Sequence, residues 1–376
     1  TGFGKTNQVL AKELFKAIPE SPRKPRKLVA FSDSVEESAR FSNDIEKENF
    51  NQIIKELLVA ERDRIVLAAK YVTLYESGDK EQAMEIAELL DKRYARELRV
   101  ALRNIEDEED DVFAEITLIK DAKNRSIKLE KLIDSIIWGL VRMGVNPAGP
   151  SASNEKLVVR SESTYEKCTE HWKNCFNWDP INPEINDLYI KNSNERDSLL
   201  GNIRKEIYVE IGRFLFGRLF YSIESSALAQ VMITSSIESP IVGCSDKKFL
   251  EILNSSCRIL GDNFRYKPSA FEHALILSFK EIKPLRLYIE RVAEFHGLET
   301  DVLGDSIWNE ITNTFKHRDG QLDLANLRIR FSNDSDEVFQ CSSCLTIHLH
   351  SSGQICKNCF STLSSTSTSK AKEIRA

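Results

Sequence analysis

IIKELLVAERDRIVLAAKYVTLYESGDKEQAMEIAELLDKRYARELRVAL, residues 53–102, decides the class of fold. Apolar residues return every three to four positions, the period of a helix with one face on a core. The spacing predicts helix from Asn51 to about Asn104, with a single break at ESGD where Gly78 makes the turn. Further along the chain the same period predicts a helix pair over 112–143, helix over 188–231, and three or four helices over 247–325, with Pro268 and Pro284 as breakpoints. Between them, VNPAGP reads as a loop rich in turn formers, and HWKNCFNWDPINPEIN (171–186) as an irregular aromatic loop packed on the body. LRIRFSNDSDEVFQC, 327–341, alternates apolar and polar residues and predicts one strand.

A chain of 376 residues that is 41% hydrophobic can build a core in two or three domains. The net charge of −6 excludes non-specific coating of duplex nucleic acid by the whole surface, but leaves room for one basic groove. No apolar run approaches the roughly 18 residues of a membrane span, and no signal peptide is visible, so the expected setting is cytoplasmic with no membrane partner. The opening at Thr1 and the closing STLSSTSTSKAKEIRA give the expectation of a segment cut from a longer chain.

Residues 1–50 read as a small α/β piece. QVLAKELFKA (8–17) has helical spacing, LVAF (28–31) is a short apolar run suited to a buried strand, and Ser34 is placed to cap a helix whose first turn holds Glu36 and Glu37. The chain opens with TGFGKT, the core of a phosphate-binding loop. Such a loop surrounds phosphate with backbone N–H groups at a helix N-terminus while a lysine neutralises it, which makes Gly4, Lys5 and Thr6 the candidate nucleotide-binding residues. No strand feeds this loop within the sequence. The one acidic run, EDEEDD (106–111), follows helical sequence instead of the apolar strand that aims a magnesium-binding acid. That run reads as a solvated loop, and no catalytic residue is predicted.

The strongest motif is CSSCLTIHLHSSGQICKNCF, residues 341–360. Cys341 and Cys344 form one C-x-x-C knuckle, Cys356 and Cys359 another, and the eleven residues between allow a hairpin turned at Gly353. Four thiolates close a tetrahedral Zn²⁺ site and leave no position for water, so the expected metal is structural. His348 and His350 lie in the hairpin as competing ligands, but complete four-cysteine coordination gives the expectation of exposed strand residues. The other cysteines, Cys168, Cys175, Cys244 and Cys257, have no ligand spacing and read as buried or idle thiols.

KLVAFSDSVEESARFSNDIEKENF (27–50), together with TGFGKTNQVLAKELF, GVNPAGP, LFGRLFYSIESSAL (215–228) and the cysteine ribbon, resembles large bacterial superfamily 2 helicases of the DEAD/DEAH-box type, including phage-defence-associated members. The likeness spans most of the chain in order, and FSDS, NPAGP and the ribbon are its specific parts. It implies a mainly α fold with a small N-terminal piece of a second RecA-like domain and a C-terminal zinc ribbon. The divisions are 1–50 for the RecA-like piece, 51–325 for a helical insertion with a sub-boundary at 144–186, 326–362 for the ribbon and 363–376 for a linker. The implied function is part of an ATP-dependent helicase or translocase, with ATP and Mg²⁺ bound elsewhere in the parent protein and no catalysis by this chain alone. The implied partners are nucleic acid, DNA ahead of RNA, and proteins of a defence system. Ser32, Asp33 and Ser34 match the family motif as nucleic-acid contacts. Val35 stands where the family carries Arg, with Arg40 as a substitute for the lost phosphate contact. The alternative reading is a non-enzymatic helical scaffold whose ribbon binds protein or nucleic acid.

Overall fold

A computed structural model describes residues 35–106, 112–160, 167–177, 179, 183–216, 222–234, 237–269, 274–315 and 320–367, with the isolated positions 10, 13, 14 and 17. The fold is mainly α with only small sheets. Among the described residues the helices are α1 Val35–Glu76, α2 Lys80–Leu89, α3 Lys92–Glu106, α4 Phe113–Lys123, α5 Leu129–Arg142, α6 Ser193–Leu215, α7 Asp246–Asp262, α8 Lys283–His296 and α9 Thr300–Phe315. The strands are β1 Ser126–Lys128, β2 Lys156–Arg160, β3 Lys167–His171, β4 Phe176–Asn177, β5 Glu184–Ile185, β6 Ala229–Met232, β7 Tyr266–Lys267, β8 Leu322–Asp323, β9 Arg328–Phe331, β10 Glu337–Cys341, β11 Ile347–His348 and β12 Leu363–Ser367. The chain divides into two compact units, Thr1–Leu58 with Asp134–Ile207, and Val59–Ile133 with Tyr208–Ala376. The strand expected over 28–31 and the acidic residues 107–111 lie outside the described residues, as does most of the helix expected over 8–17.

In the first unit the NPAGP segment is a cross-braced loop. Asn146 donates from Nδ2 to the Asn154 carbonyl at 2.8 Å and accepts from Ala148 N–H at 3.1 Å, and Asn154 donates back to the Ala148 carbonyl. Arg204 on α6 clasps Asp134 on α5 through two hydrogen bonds of 2.7 and 2.9 Å. The 171–186 segment is more regular than expected. A 3₁₀ turn at Trp172–Cys175 leads into β4, which pairs with β5, because Trp172, Cys175 and Phe176 are buried and Trp138 meets Phe176 edge-on at 6.0 Å.

The second unit opens with the stretch that predicted the fold class. Gly78 ends the first helix at φ +84°, a conformation costly to any residue with a Cβ, and Asp79 caps α2 by accepting from Gln82 N–H at 3.1 Å. A second break, absent from the sequence expectation, follows Leu89: Leu90 is extended, and Asp91 restarts the helix by accepting from the N–H groups of Arg93 and Tyr94 at 3.0 and 3.1 Å. The apolar period runs through this cap unbroken, which hides it. Ala83, Ala87, Ala95 and Ala101, all small, let α2, α3 and α4 close around Leu98 and Ile119.

Helix expected through residue 231 stops at Leu215, and Ala229–Met232 is a fully buried strand, paired antiparallel with β9. β9 also pairs with β1, giving the order β1-β9-β6. The single strand expected over 327–341 is therefore two. β9 belongs to that sheet, while β10 lies between β11 and β12 in a separate three-stranded ribbon. The ribbon also takes in β12, so residues 363–367 are ladder partners of β10, not the start of a linker. Pro284 starts α8 instead of breaking a helix, because its first-turn position needs no N–H donor. α7 is buried on nearly every side from Ile252 to Asp262, including the polar Asn254, Ser255, Ser256 and Arg258.

Candidate metal centre

The two knuckles close by the same backbone hydrogen bonds. In the first, Leu345 N–H donates to the Cys341 carbonyl at 3.1 Å and Cys341 N–H to the Thr346 carbonyl at 3.0 Å. In the second, Phe360 N–H donates to the Cys356 carbonyl at 3.0 Å and Cys356 N–H to the Ser361 carbonyl at 2.8 Å. The residue after each second cysteine is left-handed, Leu345 at φ +58° and Phe360 at φ +64°. This turn aims backbone N–H groups at the first sulfur of each knuckle, those of Ser343 and Cys344 at Cys341 and those of Asn358 and Cys359 at Cys356.

The four sulfur atoms lie within 4.8 Å of one another. Cys341 and Cys359 Sγ are 3.3 Å apart, and Cys344 and Cys356 Sγ 3.5 Å. A tetrahedron with metal–sulfur bonds of about 2.3 Å has edges of about 3.8 Å, so the cluster brackets the dimensions of a four-thiolate site. Thr346 joins the knuckles. Its Oγ1 accepts from Asn358 Nδ2 at 3.0 Å, which frees its own proton for Cys344 Sγ at 3.1 Å.

Burial pushes the Cys341 and Cys356 thiols up, and both are fully enclosed. Burial also pushes the exposed Cys359 up, but hydrogen bonds from the Ser361 backbone and hydroxyl and from the Cys341 and Cys344 thiols outweigh it and bring Cys359 down to about 7. A divalent cation can replace the protons that the buried sulfurs otherwise retain.

The histidines correct the sequence expectation. His348 and His350 are both buried, His348 completely. His348 Nε2 lies 3.4 Å from Cys356 Sγ, and His350 Nε2 lies 2.7 Å from Arg258 Nη2 while its Nδ1 accepts from Ser352 N–H at 2.9 Å. Burial, then the Arg258 charge, holds both rings well below the usual histidine range. The cause is the seating of the ribbon on α7 and α8, which no local pattern reveals. Ser352 Oγ meets Ser255 Oγ at 2.6 Å, Tyr288 donates to the Ser352 carbonyl at 2.9 Å, and Ser351 donates to Glu251. Gly353, at φ +60°, lies so close that a Cβ there would come within 2.9 Å of Ile252.

A charged network underlies this contact. Arg258 pairs with Glu224 and donates to Ser255 Oγ at 2.7 Å. Lys357, between the two cysteines of the second knuckle, reaches Asp262 at 2.5 Å and stands 4.0 Å from Glu224. Burial pushes Arg258 down to about 10 and Lys357 below the usual lysine range, opposed for Lys357 chiefly by the charge of Asp262.

The structure brings together all four cysteines expected as ligands. Gly4, Lys5, Thr6, Ser32, Asp33 and Ser34 lie outside the described residues, and Arg40 is described only as a backbone position within α1. Cys175, Cys244 and Cys257 are free and buried, and the Cys168 side chain lies outside the described set. Among the described residues no helix is long and apolar enough to cross a membrane. Comparison of the chain with family models, with curated proteins and with solved structures finds no match.

Proposed function

We propose that Cys341, Cys344, Cys356 and Cys359 hold one Zn²⁺ in a closed, structural site, and that the chain is a non-catalytic helical module built around this centre. The observation that carries the reading is the convergence of four sulfurs within 4.8 Å on two matching knuckles. Thiolates favour a soft or borderline cation over Mg²⁺ or Ca²⁺, and four of them leave no open position for a reacting water. Metal analysis of the purified chain should find about one zinc per molecule, lost in Cys341→Ser or Cys356→Ser. A metal-free chain that stays fully folded would overturn the assignment.

We further propose that the module serves an ATP-dependent nucleic-acid motor of the helicase type. Support comes from the resemblance through FSDS, NPAGP and the ribbon, of which NPAGP and the ribbon are within the described residues. On this reading the chain binds single-stranded DNA with an affinity that falls steeply with salt, and hydrolyses no ATP by itself. Anisotropy titrations at two salt concentrations test the first statement, and a phosphate-release assay with DNA present tests the second. Turnover at helicase-like rates by the chain alone would contradict its non-catalytic role. Failure to bind DNA or RNA would leave a protein-binding scaffold.

A further inference from the structure

The sulfur of Cys356 is closed off from water, so any hydrogen bond it receives as a metal-bound thiolate must come from the protein. Three donors face it: the backbone N–H groups of Asn358, at 3.4 Å, and of Cys359, which belong to the knuckle, and His348 Nε2 at 3.4 Å, which does not. His348 lies on β11, which pairs with Phe339 and Gln340 of β10. The four cysteines form a group that His348 does not join, so the imidazole stands beside the coordination shell instead of completing it. Its other nitrogen, Nδ1, is buried with no hydrogen-bond partner among the described residues.

These observations select one arrangement. A metal-bound thiolate only accepts hydrogen bonds, so the nitrogen facing it must carry the ring proton. A neutral imidazole has one such proton, which leaves Nδ1 bare. An Nδ1–H proton here would be buried without an acceptor, so the alternative tautomer would waste both nitrogens.

We propose that His348 is a positioning residue of the metal centre, donating from Nε2–H to the metal-bound Cys356 thiolate and thereby raising the affinity of the site. The inference rests on the zinc assignment above. Four thiolates around a divalent cation carry a net charge of −2, and a donor in a water-free pocket withdraws density from a fully enclosed sulfur. The first knuckle solves the same problem differently, since the Thr346 hydroxyl faces Cys344. Outer-shell donors of this kind typically tune affinity by about 10–100-fold.

The test uses the full chain, with Co²⁺ as a spectroscopic probe and Zn²⁺ competed against a chromophoric chelator. His348→Leu should bind Zn²⁺ about 10–100-fold more weakly, and its thiolate-to-cobalt charge-transfer band should move to lower energy. His348→Gln, whose amide can still donate, should recover most of both losses. In the zinc-loaded wild type, ¹⁵N chemical shifts should report the Nε2–H tautomer, a measurement that needs no variant. An Nδ1–H tautomer, or a His348→Leu affinity and cobalt spectrum equal to those of the wild type, would overturn the role of His348. If wild type itself takes up no stoichiometric metal, the zinc assignment fails first.

Discussion

The two knuckles share a backbone turn, yet their surroundings differ. In the first, Ser342 and Ser343 are exposed, and Leu345 is 55% exposed. In the second, the position after the first cysteine is Lys357, whose side chain is only 8% exposed and ends between Asp262 and Glu224. Local sequence therefore sets the turn, and the tertiary contact sets what the residues inside it do. One knuckle turns its intervening residues to solvent, and the other also anchors the ribbon.

On the zinc reading proposed above one metal is common to both knuckles, so its removal has the largest expected effect. Chelation should abolish protection of amide hydrogens throughout 337–367, and hydrogen exchange with and without chelator measures it. Next in size is the contrast between Lys357→Ala and Ser342→Ala. The first strands the buried Asp262 carboxylate, while Glu224 keeps Arg258, and should cost about 3–5 kcal/mol in urea unfolding of the zinc-loaded chain; the second should stay within about 0.5 kcal/mol. Equal effects would erase the distinction between the two knuckles.

The anchored side also predicts a pH dependence. His350 is buried and neutral, its folded value depressed by burial, then by Arg258, His348, Arg330 and Lys357, with Glu224 and Asp262 paired to the nearby cations. A depressed histidine contributes stability that is present above its unfolded value of about 6.5 and lost as the pH falls below it. Between about pH 7 and pH 5 wild type should lose up to about 1.4 kcal/mol per pH unit more than His350→Gln. Parallel urea midpoints in the two proteins would refute this. The smallest effects belong to the left-handed position that the knuckles share. Leu345→Gly should be neutral or stabilising by less than about 1 kcal/mol, because glycine takes positive φ freely. Phe360→Gly should cost about 1 kcal/mol, because this ring is half-buried.

The same division runs through the rest of the molecule. The helix over 53–76, the turn at Gly78 and the four-cysteine cluster were legible, since each is encoded within a few residues by period, turn chemistry or spacing. The restart at Asp91 was hidden because the apolar period continues across it, and the end of α6 because the sequence after Leu215 stays as apolar as a helix face. β1 has only three residues and acquires its identity from Arg328–Phe331, far along the chain.

By itself the sequence determined a mainly helical protein with a four-cysteine centre, because helical period and ligand spacing are local properties. Tertiary structure decided that β9 leaves the ribbon for another sheet, that His348 and His350 face inward, and that Lys357 is an anchor. The reason is desolvation. Whether a histidine or lysine is solvated or enclosed depends on the helix that meets it, and α7 lies about a hundred residues away in sequence.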